Sequence, residues 1–232
     1  MREDIGLFRF DLDAPLPATA AGWLNPAERE RAARFATATL RQRFTVGRAM
    51  LRRLLAEHTG EAPERLAIED DTNGKPQLVG RPLAFNLSHA GNHALLAIGP
   101  ARLDLGIDIE DLAAVGDVDA LVTVCLSPAE RQGFARFTDA ATRRDSFLRL
   151  WVRKEACLKA IGQGLRIEPS EFTVGFPVFG ADLPARIRGI DLRLSDLAPG
   201  VPGHAAAIAV VGSAPMPALA PIAHLAPASR NR

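Results

Sequence analysis

Lysine is nearly missing from this sequence. Of 28 basic residues only Lys75, Lys154 and Lys159 are lysine; the rest are arginine. Where arginine has replaced lysine so widely, a surviving lysine marks a position that calls for a compact ammonium and not a planar fork. Cysteine is scarce too. Cys125 and Cys157 have neither metal-ligand spacing nor the density of a disulfide framework. Net charge is +1 over 232 residues, so no global field marks a nucleic-acid binder. Long apolar runs are absent: stretches such as 94–98 and 205–211 are too short to span a bilayer. Residues 1–20 carry acids and prolines and lack a signal-peptide core. A cytoplasmic protein with no nucleic-acid or membrane partner is expected. The rest of the composition, 47% hydrophobic and 24% charged, suits one large domain or two small lobes sharing a core.

Periodicity and turn chemistry divide the chain. Alternation predicts strands at 5–12, 66–69, 83–89, 94–98, 106–110, 172–176, 185–187, 190–194 and 205–211. Asn25-Pro26-Ala27-Glu28 and Ser127-Pro128-Ala129-Glu130 are helix starts, each with a polar N-cap, proline at N1 and an acid at N3. Longer helices are predicted from Thr39 to near Gly60 and over 143–161. Residues 213–232, rich in alanine and proline, are expected to be disordered. Residues 26–35 match 128–137 at seven of ten positions, and the order helix, long helix, strands recurs in both halves. The fold class expected is α+β: two similar lobes, residues 1–104 and 105–212, related by a pseudo-twofold axis with a ligand cleft between them.

Asp108 and Glu110 alternate with Ile107 and Ile109, so in a strand the two carboxylates stand roughly 6–7 Å apart on one face. A solvated strand face satisfies that pattern as well as a cation site does. Trp151, Glu155 and Lys159 follow at i, i+4 and i+8 on one helix stripe, where Glu155 and Lys159 alone would read as a surface ion pair. Taken together, Asp108, Glu110 and Glu155 are three carboxylates without histidine or cysteine, the donor set of Mg²⁺ or Mn²⁺. Lysine and arginine near such an ion point to a phosphate-bearing substrate. Eight arginines fall between Arg29 and Arg53, with Arg41, Arg48 and Arg52 on one face; a solvated basic face and a polyphosphate site both fit them.

Four spaced motifs, in order, resemble the signature of the 4′-phosphopantetheinyl transferases of the monomeric surfactin-synthetase-activating type. They are Gly74-Lys75-Pro76, Phe85-Asn86-Leu87-Ser88-His89, Gly106-Ile107-Asp108-Ile109-Glu110, and Trp151-x-x-Lys154-Glu155-Ala156-x-x-Lys159-x-x-Gly162-x-Gly164-Leu165. The resemblance implies a monomer that binds coenzyme A between its lobes. It implies Mg²⁺ held by Asp108, Glu110 and Glu155, and transfer of the phosphopantetheine arm to a serine of an apo acyl- or peptidyl-carrier protein with release of 3′,5′-ADP. Glu155 and Lys159 become the catalytic pair, as base and phosphate partner. Ser88 and His89 fall near the 3′-phosphate and Lys75 near the adenine end; Arg31, Arg48, Arg52 and Lys154 are further phosphate candidates. The chain departs from the pattern at Glu28, where the family often has lysine, and at Ala90, where it has a second serine. The alternative class is a Mg²⁺-dependent hydrolase or transferase acting on another diphosphate-containing nucleotide.

Overall fold

The structure, a computed structural model, describes residues 4–163, 166–175 and 180–225. Gly164 and Leu165 of the fourth motif lie outside the described residues, as do Phe176 and residues 226–232.

The first half opens with β1 (Gly6–Asp11), then α1 (Pro26–Ala33) and the long α2 (Ala38–Thr59). A small hairpin of β2 (Ile68–Asp70) and β3 (Pro76–Leu78) leads to a large one, β4 (Leu83–Ala90) and β5 (His93–Pro100). The second half runs β6 (Leu105–Asp111), α3 (Val118–Cys125), α4 (Pro128–Phe134), the long α5 (Ala140–Ile161), then β7 (Leu183–Ile187), β8 (Ile190–Leu197), β9 (His204–Val211) and β10 (Ala223–Leu225). Two four-stranded sheets result, ordered β10-β1-β5-β4 and β6-β9-β8-β7. The mixed helix-and-sheet class expected from the sequence holds. Among the described residues no helix is long and apolar enough to cross a membrane.

The predicted helix starts form as capping boxes at Asn25/Glu28 and Ser127/Glu130. The long helices begin earlier than predicted, because Thr37 and Asp139 supply the N-caps; both end at a left-handed glycine, Gly60 and Gly162. From Asn25 to Gly60 and from Ser127 to Gly162 the caps and helices correspond without an insertion or deletion. The acid of each box is buried and faces a cation of its long helix. Glu28 accepts from Arg48 and Arg52, and Glu130 pairs with Lys154 at 2.7 Å.

Each sheet packs one face against its long helix. The seam between the sheets holds Ile5, Leu7, Leu95, Ile107, Ile109 and Ile208. Two sequence expectations change here. Phe172–Gly175 is not a strand; its carbonyls at Phe172, Val174 and Gly175 accept from Lys154 and Arg153, so side chains satisfy backbone groups that a ladder would otherwise serve. The segment expected to be disordered is ordered through Leu225. Met216, Leu219 and Ile222 pack on the seam, Ile5 bridges Leu219, and β10 pairs in parallel with β1. Composition counted its prolines and alanines; Met216, Leu219 and Ile222, spaced three apart, outweigh them.

Candidate active site

Gly106 sets the site. A Cβ there would stand 2.2 Å from the Ala156 carbonyl oxygen and 2.3 Å from the Ala160 nitrogen, so only glycine lets the α5 backbone lie directly on β6. Asn86, in the middle of an apolar strand, fixes β6 from the other side by accepting the Ile107 N–H at 2.8 Å. The two elements that carry the three candidate carboxylates are thereby held in contact.

Along this seam Ser88, Asp108 and Lys159 meet. Ser88 Oγ donates to Asp108 Oδ1 at 2.8 Å. Lys159 Nζ donates to the same oxygen at 2.6 Å and to Ser88 Oγ at 2.9 Å. Asp108 is only 2% exposed. Burial pushes its carboxyl above the ordinary range while Lys159 and Ser88 pull the other way. Its second oxygen, Oδ2, is buried with no hydrogen-bond partner among the described residues. Burial, then the Asp108 charge, pushes Glu110 up to about 6; the Trp151 indole, hydrogen-bonded to it, and Lys159 oppose the rise. Burial and Asp108 also raise Glu155. Three carboxylates repelling one another across a half-dry cleft form a concentrated negative site. Among the described residues, no three such groups already converge at metal-binding distance, and Lys159 sits against the one oxygen of Asp108 that has partners. The donor set fits a hard divalent cation: all-oxygen ligands, with one buried acceptor still open.

Cavities flank this centre along the seam. One, about 120 Å³, lies by the C-terminal end of α5 and is lined by Lys75, Gln77, Phe85, Leu105 and Gly162. Another, about 250 Å³ and more apolar, lies by Glu110, Val115, Leu121, Phe147 and Trp151. From Trp151 to Gly162 the helix spans roughly 16 Å, long enough to carry an extended ligand over the carboxylates.

Not every predicted residue joins the cleft. His89 is exposed, since strand alternation turns it away from Ser88. Arg31 is exposed, its guanidinium over the Phe44 ring at 5.3 Å. Arg48 is occupied by Glu28 but keeps some exposure. Arg52 and Lys154 are corrections: both are fully buried and out of a ligand's reach. Arg52 is held by Glu28 and the Pro63 and Leu66 carbonyls, and Lys154 by Glu130 and the Pro169 and Phe172 carbonyls. Helical spacing explains Lys154: one residue from Glu155, it points roughly 100° away, into the core. Lys75 reaches two main-chain carbonyls, Leu105 at 2.9 Å and Ala160 at 3.4 Å. Sequence reasoning missed Gly106, Asn86 and Trp151 as site-builders. A glycine inside a strand pattern and an asparagine inside an apolar run were the available signals.

Comparison with known proteins bears on the same residues. Residues 104–208 match the family described as the 4′-phosphopantetheinyl transferase superfamily, and residues 17–101 match 4′-phosphopantetheinyl transferase, N-terminal. The 4′-phosphopantetheinyl transferase HetI of Nostoc sp. is 35% identical over 71% of this chain and 71% of its own length. The L-aminoadipate-semialdehyde dehydrogenase-phosphopantetheinyl transferase of Mus musculus is 31% identical over 62% of this chain, which spans half of that protein. The 4′-phosphopantetheinyl transferase psf-1 of Bacillus pumilus is 30% identical over 63% of the chain and 61% of its own length. The matched segments contain Gly106, the three carboxylates and the lysine around which the cleft is built, and the chain belongs to the 4′-phosphopantetheinyl transferase superfamily of enzymes.

Proposed function

We propose that the cleft transfers the 4′-phosphopantetheine arm of coenzyme A to a serine of an apo acyl- or peptidyl-carrier protein and releases 3′,5′-ADP. The observation that carries this reading is the buried Asp108–Ser88–Lys159 cluster with Glu110 and Glu155 beside it, in a chain of this family. The halves act as two lobes meeting near residues 104 and 105, related by an approximate twofold axis; the matching capped helix pairs support this. Asp108, Glu110 and Glu155 would hold Mg²⁺, or Mn²⁺ in its place, and the open acceptor Asp108 Oδ2 supports that role. Bound there, the ion would offset charge on the diphosphate oxygens.

The chain's own residues do the rest. Glu155, its carboxyl raised by burial and by Asp108, is poised to take the proton of the carrier serine. As it does so, the serine oxygen bonds to the β-phosphorus, and the bond from that phosphorus to the bridging oxygen breaks, leaving the electron pair on 3′,5′-ADP. Lys159, 29% exposed, can turn from Asp108 to a phosphate oxygen without leaving the cleft and neutralise charge as it develops. The cavity at the Lys75 end receives the adenosine portion, and the family resemblance assigns the exposed His89 and Arg31 to the 3′-phosphate. The apolar cavity by Trp151 is left for the pantetheine arm. The test is incubation with coenzyme A, Mg²⁺ and a panel of apo-carrier proteins, read by intact mass. One carrier should gain a single phosphopantetheine, and Asp108→Ala should abolish the gain. No modification of any carrier, or full turnover by Asp108→Ala, overturns the reading.

A further inference from the structure

We propose that Lys75 is a positioning residue: from the first half of the chain it pins together the two elements of the second half that carry the reacting groups. Lys75 leaves a tight turn between β2 and β3. Asp71 Oδ1 accepts from the Asn73 and Lys75 N–H groups, and the Lys75 carbonyl accepts from Asp71 N, so the base of the side chain is fixed. Its stem lines the smaller cavity. Its ammonium donates to the carbonyls of Leu105 and Ala160.

Those two acceptors explain the role. Leu105 is the first residue of β6 and lies three residues before Asp108. Ala160 lies in the last turn of α5, next to Lys159. Its carbonyl is among those left without an intrahelical partner, at the negative end of the helix dipole. The turn itself packs on the helix cap, where a Cβ on Gly162 would meet Asp71 Oδ2 and Lys75 Cδ at 3.7 Å each. Lys75 thus clamps the end of the interface where the α5 backbone touches Gly106. Burial pulls its pKa down, and an ammonium in such surroundings needs its acceptors. Turning it toward a nucleotide would strip both carbonyls. The motif position near the adenine is therefore filled by the lysine's stem, and its charge serves the catalytic helix.

The inference rests on the reading that Asp108, Glu110 and Glu155 bind Mg²⁺. It is tested with Lys75→Met and Lys75→Arg by calorimetric Mg²⁺ titration without coenzyme A, by kcat and KM for coenzyme A, and by circular dichroism. Lys75→Met should lose about 10-fold in Mg²⁺ affinity, the low end of the range for partners that orient metal ligands. Its kcat should fall while KM for coenzyme A moves less than about 2-fold. Lys75→Arg, which keeps a cation at the helix end, should recover part of both. A rise in KM with unchanged kcat and Mg²⁺ affinity overturns the inference and gives the ammonium to the nucleotide. If wild type and Asp108→Ala bind Mg²⁺ alike, the metal reading has failed, and the split between kcat and KM decides the role of Lys75 by itself. Should Lys75→Met not fold, Lys75→Gln takes its place in the same measurements, with the same outcomes.

Discussion

Gly106→Ala adds one methyl group where two backbones touch. The new Cβ would sit 2.2 Å and 2.3 Å from main-chain atoms of α5, whereas ordinary contacts start near 3.4 Å. Neither partner is the end of a flexible side chain, so the helix must retreat by about 1 Å. Overpacking of this kind costs about 1–3 kcal/mol, and three backbone contacts place this site at the upper end. The retreat also opens the 2.6 Å contact between Lys159 and Asp108 and carries Glu155 away from both strand carboxylates. A displacement of that size at a reacting centre is worth about 10²-fold in rate. Urea denaturation followed by circular dichroism gives the first quantity, and carrier modification followed by mass gives the second. Gly47→Ala in α2 is the control: its Cβ would meet only Leu12 Cδ2, at 3.5 Å, and replacing a helical glycine should stabilise by about 0.5–1 kcal/mol. A Gly106→Ala protein with wild-type midpoint and turnover would refute the claim that glycine sets the helix–strand distance.

Lys154→Ala leaves Glu130 charged, buried and unpaired, and should destabilise by about 3–5 kcal/mol in the same denaturation assay; a loss under about 1 kcal/mol would mean that Lys154 is no structural anchor. Glu155→Gln keeps shape and loses a base. Turnover should drop by about 10²-fold or more with coenzyme A affinity falling less, and equal losses in both would make Glu155 a ligand only. The Glu110 carboxyl, pushed up to about 6 from an ordinary 4.5, keeps a proton in the folded protein that the unfolded chain has already released. Metal-free stability should therefore fall as pH rises from about 4.5 through about 6. Mg²⁺ affinity should rise across the same window as the ligand deprotonates, and calorimetric affinities that stay flat there would contradict this. Lys159→Arg should lose activity despite unchanged charge, because a planar fork beside Asp108 pairs bidentately and holds on; wild-type turnover would show that any cation suffices.

What the sequence made legible was local. The capping boxes at Asn25 and Ser127, the glycine stops at Gly60 and Gly162, and the alternation at Ile107–Glu110 all depend on neighbours within a few positions, and all formed. Lys154 and Arg52 misled because the resemblance assigned both charges to phosphate, and motif position does not show which charges the core pairs internally. Their burial depends on Glu28 and Glu130, far away in sequence. The strand expected at 172–176 failed for the same reason, since the lysine and arginine that bind its carbonyls lie on another element. Lys75 read as a contact near the adenine end, and no pattern within its turn reveals that its acceptors stand in the other half of the chain. Helix α3 went unread because its eight residues, Val118–Cys125, make barely two turns, too few to tell a helical pattern from a strand.

The pairing of β10 with β1 governs how the protein can be made. A ribosome delivers β1 long before its parallel neighbour. Until Ala223–Leu225 emerge, the outer edge of β1 is an open row of N–H and C=O groups, an invitation to a wrong partner strand. The seam under Ile5 and Leu7 meanwhile lacks Met216, Leu219 and Ile222. The first half of the chain, though first out, must wait for residues 216–225 to close its sheet. Nascent chains stalled after α5 should thus remain sensitive to protease and dependent on chaperones, and the order in which the halves mature is the reverse of the order in which they are translated.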